Sequence, residues 1–342
     1  MRFDLMTTGL PLRRMQQLAT DAERAGFSGL VVTESGRSAY LSCAAAALAT
    51  DLDILTGVAV AFPRSPMVTA QVAWELAEAT GGRFRLGLGT QVRAHIERRY
   101  GSEFEHPGPR LREYVAALRH IFTAFREGTP LAHDGDFWQL SLLPAMWSPG
   151  AIDAPDPPID LAAVNPWMLR MAGQVADGVH VHPLNTPTYL ETTVLPELAA
   201  GAAAAGRALA DLEVIVPTFA APGSTPDEVQ ALREMARMQT AFYGSTPNYA
   251  FVFEQLGREG TTERIRERQK AGDIAGMAAV IDDELLEHFC ISGDWATVAD
   301  GVIARHQGVA TRVVGYFTAM QWARDPATIG PWGELARAVQ AA

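Results

Sequence analysis

Four side chains able to move a proton stand within or just after short apolar runs: Glu34, His95, His180 and His182. A histidine titrates close to neutrality and is the commonest general acid or base. Glu34 is the clearest carboxylate in such a position. His180 and His182 share one run, and we expect one to face inward and the other outward. A second chemistry is suggested by Asn165-Pro166-Trp167-Met168, which opens a helix. Free backbone N–H groups at Trp167 and Met168, with the helix dipole behind them, suit a phosphate. Pro166 fits the first turn but supplies no donor. Each feature has a plainer use, because every helix has an N-terminus and a histidine also serves as a structural hydrogen-bonding residue.

Other chemistries lack their residues. There is no Walker A loop, no HExxH, no GxSxG and no GxGxxG, and Gly87-Leu88-Gly89 is at most a fragment of the last. Nucleotide hydrolysis, zinc proteolysis, α/β-hydrolase chemistry and Rossmann-type binding are therefore disfavoured. Strand-end carboxylates are few and the histidines lack companions, so no metal site is expected.

The elements that must position these residues alternate along the chain. Apolar runs of strand length cover 3–7, 29–33, 52–61, 84–89, 159–164, 178–182, 212–218 and 312–317. Helical patterns follow at 15–25, 39–49, 66–79, 110–125, 167–176, 188–205, 226–243 and 296–306, with a last helix at 331–339. Near-continuous apolar runs mark parallel strands covered on both faces. Eight such units predict an α/β fold, a (β/α)8 TIM barrel with insertions in the βα loops. We expect one barrel domain over 1–342, with excursions at about 91–109, 128–158 and 244–287. The second excursion carries Phe137, Trp138, Met146 and Trp147 and is expected to pack; the third reads as polar and irregular. In such a barrel the site lies at the C-terminal ends of the strands. That selects Thr7 after the first strand, Glu34, Ser35 and Arg37 after the second, Gly57 to Arg64 after the third, and Thr90, Gln91, Arg93 and His95 after the fourth.

The chain has 342 residues, 39 acidic against 28 basic, for a net charge of −11. That balance argues against nucleic-acid and anionic-membrane partners. Cys43 and Cys290 are too few and too far apart for a disulfide framework, so we expect buried thiols in a reducing cytoplasm. The first ten residues carry Asp4 and no long apolar stretch, so no secretory signal is expected.

Several segments together resemble the bacterial-luciferase-like flavin and deazaflavin oxidoreductases. They are ATDAERAGFSGLVVTE at 19–34, the stretch 55–89 with TGVAVAF, RSP, GGR and RLGLG, and PIDLAAVNPWMLRMAGQVADG at 158–178. Further segments, including TQVRAHIERRYG at 90–101 and FYGSTPNY at 242–249, resemble an actinobacterial subfamily of oxidoreductases dependent on coenzyme F420, a deazaflavin. The resemblance implies a cis peptide at Gly57-Val58 behind the cofactor ring, with Thr90 and Gln91 beside it. It implies a polar cofactor contact from His95 and a phosphate turn at Val164, Asn165, Trp167 and Met168, and it puts His182 at the mouth of strand 6. Many members carry Glu-His after strand 2; here Glu34-Ser35 removes that histidine. Asn165 stands where the turn usually has Gly, and Asn tolerates left-handed backbone better than most residues.

The implied function is hydride transfer between coenzyme F420 and a small organic substrate with a C=O, C=N or activated C=C bond. The cofactor carries the difficult chemistry and the protein supplies position and a proton. His95, His182 and Glu34 are the candidate proton donors, and Thr7, Gly57, Val58, Thr90, Gln91, His95, Val164, Asn165, Trp167 and Met168 the candidate cofactor contacts. Arg37, Arg64 and Arg93 could meet the acidic tail, while Phe62, Trp147, Trp167, Phe242, Tyr249 and Tyr316 could line a substrate pocket. The alternatives are an FMN-dependent two-component monooxygenase and a non-catalytic flavin-binding protein, since one fold hosts several chemistries. A homodimer is expected, and a flavin reductase or F420-reducing enzyme is only an indirect partner.

Overall fold

Each of the eight apolar runs becomes a strand in the computed structural model, which describes residues 1–342. They are β1 (Arg2–Thr8), β2 (Gly29–Thr33), β3 (Asp53–Thr56), β4 (Phe84–Gly89), β5 (Ile159–Ala163), β6 (Gly178–Val181), β7 (Glu213–Pro222) and β8 (Arg312–Gly315). Every neighbouring pair is parallel, and β8 returns to β1 through Arg2↔Arg312 to Leu5↔Gly315, closing an eight-stranded barrel. Helices lie outside. Phe3 of β1 packs against Phe27 and Trp332 in the layer between barrel and helices, and Trp74 stacks on Phe122 between two neighbouring helices. The other alternate residues fill the interior.

That interior has three storeys. Its floor is ionic: buried Arg312 donates to both carboxylate oxygens of Asp4 at 2.7 and 2.9 Å and to Asp53 at 2.8 Å. Arg85 pairs with Asp160 beside it at 2.9 Å. Above lies an apolar layer of Val31, Leu55, Ile215 and Val314, with Met6 against it. The third storey is the mouth.

The helix starts follow their local chemistry. Ser65 accepts a hydrogen bond from Val68 N, and Pro66 occupies the first turn of the helix Pro66–Thr80. That helix ends at Gly81 in left-handed backbone.

The structure departs from the sequence reading in several places. The run at 52–61 is not one strand: it breaks at Gly57-Val58, where the peptide bond is cis as the resemblance implied, and resumes as Ala59–Val60 against the end of β4. Residues 244–287 are not irregular: they form the short helices Ala250–Glu254, Thr261–Lys270, Ile274–Ala279 and Asp283–Glu287. Asp273 and Asp282 cap the last two by accepting from Gly276 N and Leu285 N. With the helix Pro226–Gly244 they enclose a second core around Phe219, Leu232, Phe253, Ile265 and Leu286. β7 runs on to Pro222, and its upper half pairs with an extra strand, Cys290–Gly293, that sequence did not suggest. In 128–158, Glu113 gathers the N–H groups of Asp136, Phe137 and Trp138 at 2.8–3.1 Å, which pins that stretch to the barrel. Met146 and Trp147, expected to pack there, are 88% and 69% exposed. No helix is long and apolar enough to cross a membrane. Cys43 and Cys290 are buried thiols.

Candidate functional site

Residues two apart on a strand share a face, so the inward side of each strand can be followed up to the mouth. It leads from Asp4 to Met6 and Thr8, from Leu55 to Gly57, from Asp160 to Ala162 and Val164, and from Val314 to Tyr316. The β3–β5 arc is almost bare of side chains. A Cβ on Gly57 would collide with Val31, one on Gly87 with the Thr56 carbonyl, and one on Gly89 would come within 2.8 Å of Val58. Glycine is therefore required at all three places. The β6–β8 arc is different and carries His182, Tyr316 and the tyrosines of the long β7 insert.

His180 and His182 do not divide between two faces as expected. Their spacing of two puts both inward. His180 is buried beneath Gly57 and Gly87, its Nε2 unpartnered, and burial lowers its pKa to about 3. His182 is half-buried at the mouth. Its Nδ1 accepts from Leu184 N at 3.1 Å, so the neutral ring must carry its proton on Nε2. Burial lowers its pKa to about 3 as well. His182 is thus a fixed neutral donor, not an acid that titrates near neutrality. Asn185 anchors this turn through the His182 and Pro217 carbonyls, both at 2.9 Å.

Glu34 is not free for acid–base work. Its side chain is 4% exposed and bound by both Arg64 guanidinium nitrogens, at 2.5 and 2.9 Å, and by Val60 N at 2.8 Å. Arg64 also donates to the Val60 carbonyl at 2.9 Å. The fork ties β2 to the loop after β3, a positioning task. His95 lies on the short helix Arg93–Arg98 at the rim, exposed, with no side-chain hydrogen bond. It is not brought against His182 or Glu34 by any contact. Thr90 and Gln91 follow β4; Gln91 has φ 57° and accepts from Val92 N through its own side chain. Thr7 shares the outward face of Phe3 and Leu5, is buried, and donates to the Thr8 carbonyl. Thr8 is the β1 residue that points into the mouth.

The turn at Val164 to Met168 also differs from expectation. Asn165 is extended, φ −82°, not left-handed, and its Oδ1 caps Met168 N at 2.9 Å. Met168 N is therefore not a free donor, and Trp167 N remains. Trp167 itself lies half-exposed over Gly108.

Of the six aromatics proposed to line a pocket, Tyr249 and Tyr316 gather at the mouth. Phe62 is buried under the Arg110 guanidinium, and Trp147, Trp167 and Phe242 are 69%, 49% and 54% exposed. Sequence reasoning missed Tyr243, next to Phe242. The Tyr243 and Tyr316 hydroxyls are 2.6 Å apart, and the His182 ring lies 4.7 Å from Tyr243 and 4.3 Å from Tyr249. The rim is not acidic. Glu34 is neutralised by Arg64, while Glu97 and Glu105 are paired with Arg93 at 2.7 and 3.2 Å. Arg37 is exposed and has no ion-pair partner. Arg83, the arginine of the GGR segment, pairs with Asp51 at 2.7 Å.

Comparison with known proteins agrees with this architecture. A family model described as luciferase-like monooxygenase matches residues 2–312. An uncharacterized protein of Mycobacterium tuberculosis is 38% identical over 309 residues, covering 90% of this chain and 91% of that protein. The 5,10-methylenetetrahydromethanopterin reductase of Archaeoglobus fulgidus is 29% identical over 86% of both chains. The structure of the coenzyme F420 dependent tetrahydromethanopterin reductase from Methanopyrus kandleri superposes with a TM-score of 0.78 at 23% identity, covering 97% of each chain.

Proposed function

This chain belongs to the luciferase-like monooxygenase family, and on that premise we propose that it is an oxidoreductase moving hydride between coenzyme F420 and a small uncharged organic substrate. The observation that carries the reading is the contrast between the two arcs of the mouth. A wall of bare backbone at Gly57-Val58, Gly89 and Ala162 fits a flat ring. Opposite it stand neutral hydrogen-bond donors suited to a substrate oxygen. The rim fits an anionic tail, with its carboxylates paired and Arg37 free. The F420-dependent relatives support the choice of cofactor.

When bound, the reduced deazaflavin supplies a hydride. The residues of the chain do the rest. His182 Nε2–H can hydrogen-bond a substrate oxygen and polarise its bond. Glu34 and Arg64 fix the loop that carries Gly57 and Val58. The insert roofs the mouth, and excluding water there strengthens each polar contact. A neutral imidazole N–H orients the substrate, so the proton must come from another group.

Fluorescence titration of the purified protein with F420 and with FMN tests the reading. F420 is expected to bind and FMN not. Tight FMN binding with no F420 binding would overturn it.

A further inference from the structure

We propose that Tyr243 is the proton donor of this site, held by Tyr316, and that the substrate it serves is an uncharged carbonyl compound; the proposal rests on the reading that the mouth reduces a small organic substrate.

Tyr316 follows β8 on the inward face, so the barrel frame fixes it. Tyr243 comes down from the insert helix Pro226–Gly244, and the two hydroxyls share a hydrogen bond of 2.6 Å. One of the two protons lies in that bond and the other is free. Of the pair, Tyr243 is the one whose ring lies against His182, 4.7 Å away, so the free proton that serves the substrate is assigned to it. Burial raises its pKa, and the hydrogen bond shared with Tyr316 works the other way. Burial raises the Tyr316 pKa as well, and its place on the barrel frame suits it to hold Tyr243 rather than to meet the substrate. His182 packs edge-on against the same ring and presents its own Nε2–H. Two donors of different kinds thus converge, one to polarise an oxygen and one to protonate it.

The balance is simple. The carbonyl carbon gains a hydride from a reduced deazaflavin, and the C=O π bond breaks. The oxygen takes the Tyr243 proton and an alcohol forms. The phenolate left on Tyr243 accepts from Tyr316 until water returns a proton.

The class of substrate follows from the charges. The side chains packed on His182, Tyr243, Tyr249 and Tyr316 are one another and Phe219, Phe242 and Phe317, and no Arg, Lys, Asp or Glu side chain hydrogen-bonds any of the four. A carboxylate or phosphate substrate would lose its water here without gaining a counter-charge. An iminium substrate would want a carboxylate, and none faces the cluster. An uncharged carbonyl, saturated or conjugated, needs only the two donors.

Two arms test the proposal. In the first, the cofactor-free protein is titrated with cyclohexanone and with cyclohexanecarboxylate by intrinsic fluorescence. The ketone should bind, the carboxylate should not, and Tyr243→Phe should weaken ketone binding about 3–10-fold, the worth of one neutral hydrogen bond. In the second, ketone reduction is followed with saturating reduced F420 after each variant is shown to keep its melting temperature. Tyr243→Phe should lower kcat about 100-fold, the usual share of one general acid, with KM within a few-fold. Tyr316→Phe should lower kcat in the wild-type background and have no further effect on Tyr243→Phe, because it acts through that hydroxyl. A structural role would add in both backgrounds. Unchanged kcat in Tyr243→Phe, additive losses, or equal affinity for the carboxylate would overturn the proposal. Failure of F420 to bind the wild type would refute the cofactor reading, leaving the first arm to decide this one.

Discussion

His306 should make the protein acid-labile well above the range where carboxylates titrate. The ring is fully buried against β7, with Nε2 2.9 Å from the Thr218 hydroxyl and Nδ1 without a partner. Burial, helped by the neighbouring Arg305 charge, lowers its pKa from 6.5 to about 3. Above about pH 6.5 the ring is neutral in both folded and unfolded chains and contributes no pH dependence. Below that the unfolded chain takes up a proton that the folded chain refuses. Stability then falls by about 1.4 kcal/mol per pH unit for this ring, until the pH nears 3. Between about pH 6.5 and about pH 5 the loss is roughly 2 kcal/mol from His306 alone, and buried His180 adds a similar share. His306→Gln keeps an amide for Thr218 and removes the titration. Urea unfolding at several pH values in that window is the assay. The variant should lose about 2 kcal/mol less than the wild type between the two ends. Parallel losses in the two proteins would show that the ring is protonated in the fold and would refute the reasoning.

Three further outcomes are expected. Glu34→Gln should destabilise by about 1–3 kcal/mol and weaken F420 binding, because it leaves Arg64 half-paired and loosens the loop under the cofactor; thermal melts and fluorescence titration measure both. Arg312→Met should cost about 3–5 kcal/mol or prevent folding, since Asp4 is then buried without a counter-charge, and soluble yield with circular dichroism will show it. Asn165→Ala should cost about 1 kcal/mol as the Met168 cap is lost, read as a lowered urea midpoint.

Strands were legible because a parallel barrel buries both faces, so GLVVT and FRLGLG read as continuous apolar runs. The insert was harder: its helices are five to ten residues long, too short for periodicity to speak, and the signals present were the capping Asp273 and Asp282. The ionic floor was invisible because Asp4 and Arg312 lie 308 residues apart and only closure joins them. Glu34 was misjudged for the same reason: a carboxylate at a strand end looks free until Arg64 is placed beside it. Thr7 was assigned to the site by its position at a strand end, without asking which way the pleat turns it. The same oversight split His180 from His182. Tyr243 was passed over because its significance is a hydroxyl partner 73 residues away.

The upper half of β7 has a consequence for how this protein can change. The insert leaves just beyond Pro222 and comes home at Cys290–Gly293, which pairs with Phe219–Pro222 on the very strand it left. Exit and return are stitched together in a four-residue ladder, and the stitched part packs its core onto the barrel mouth through Leu184 and Phe317. The region that lends Tyr243 and Tyr249 to the mouth is therefore a graft with a closed neck. Residues on its mouth-facing side can be exchanged without altering the register of the eight strands below. Selection can retune what the mouth accepts while the barrel stays as it is.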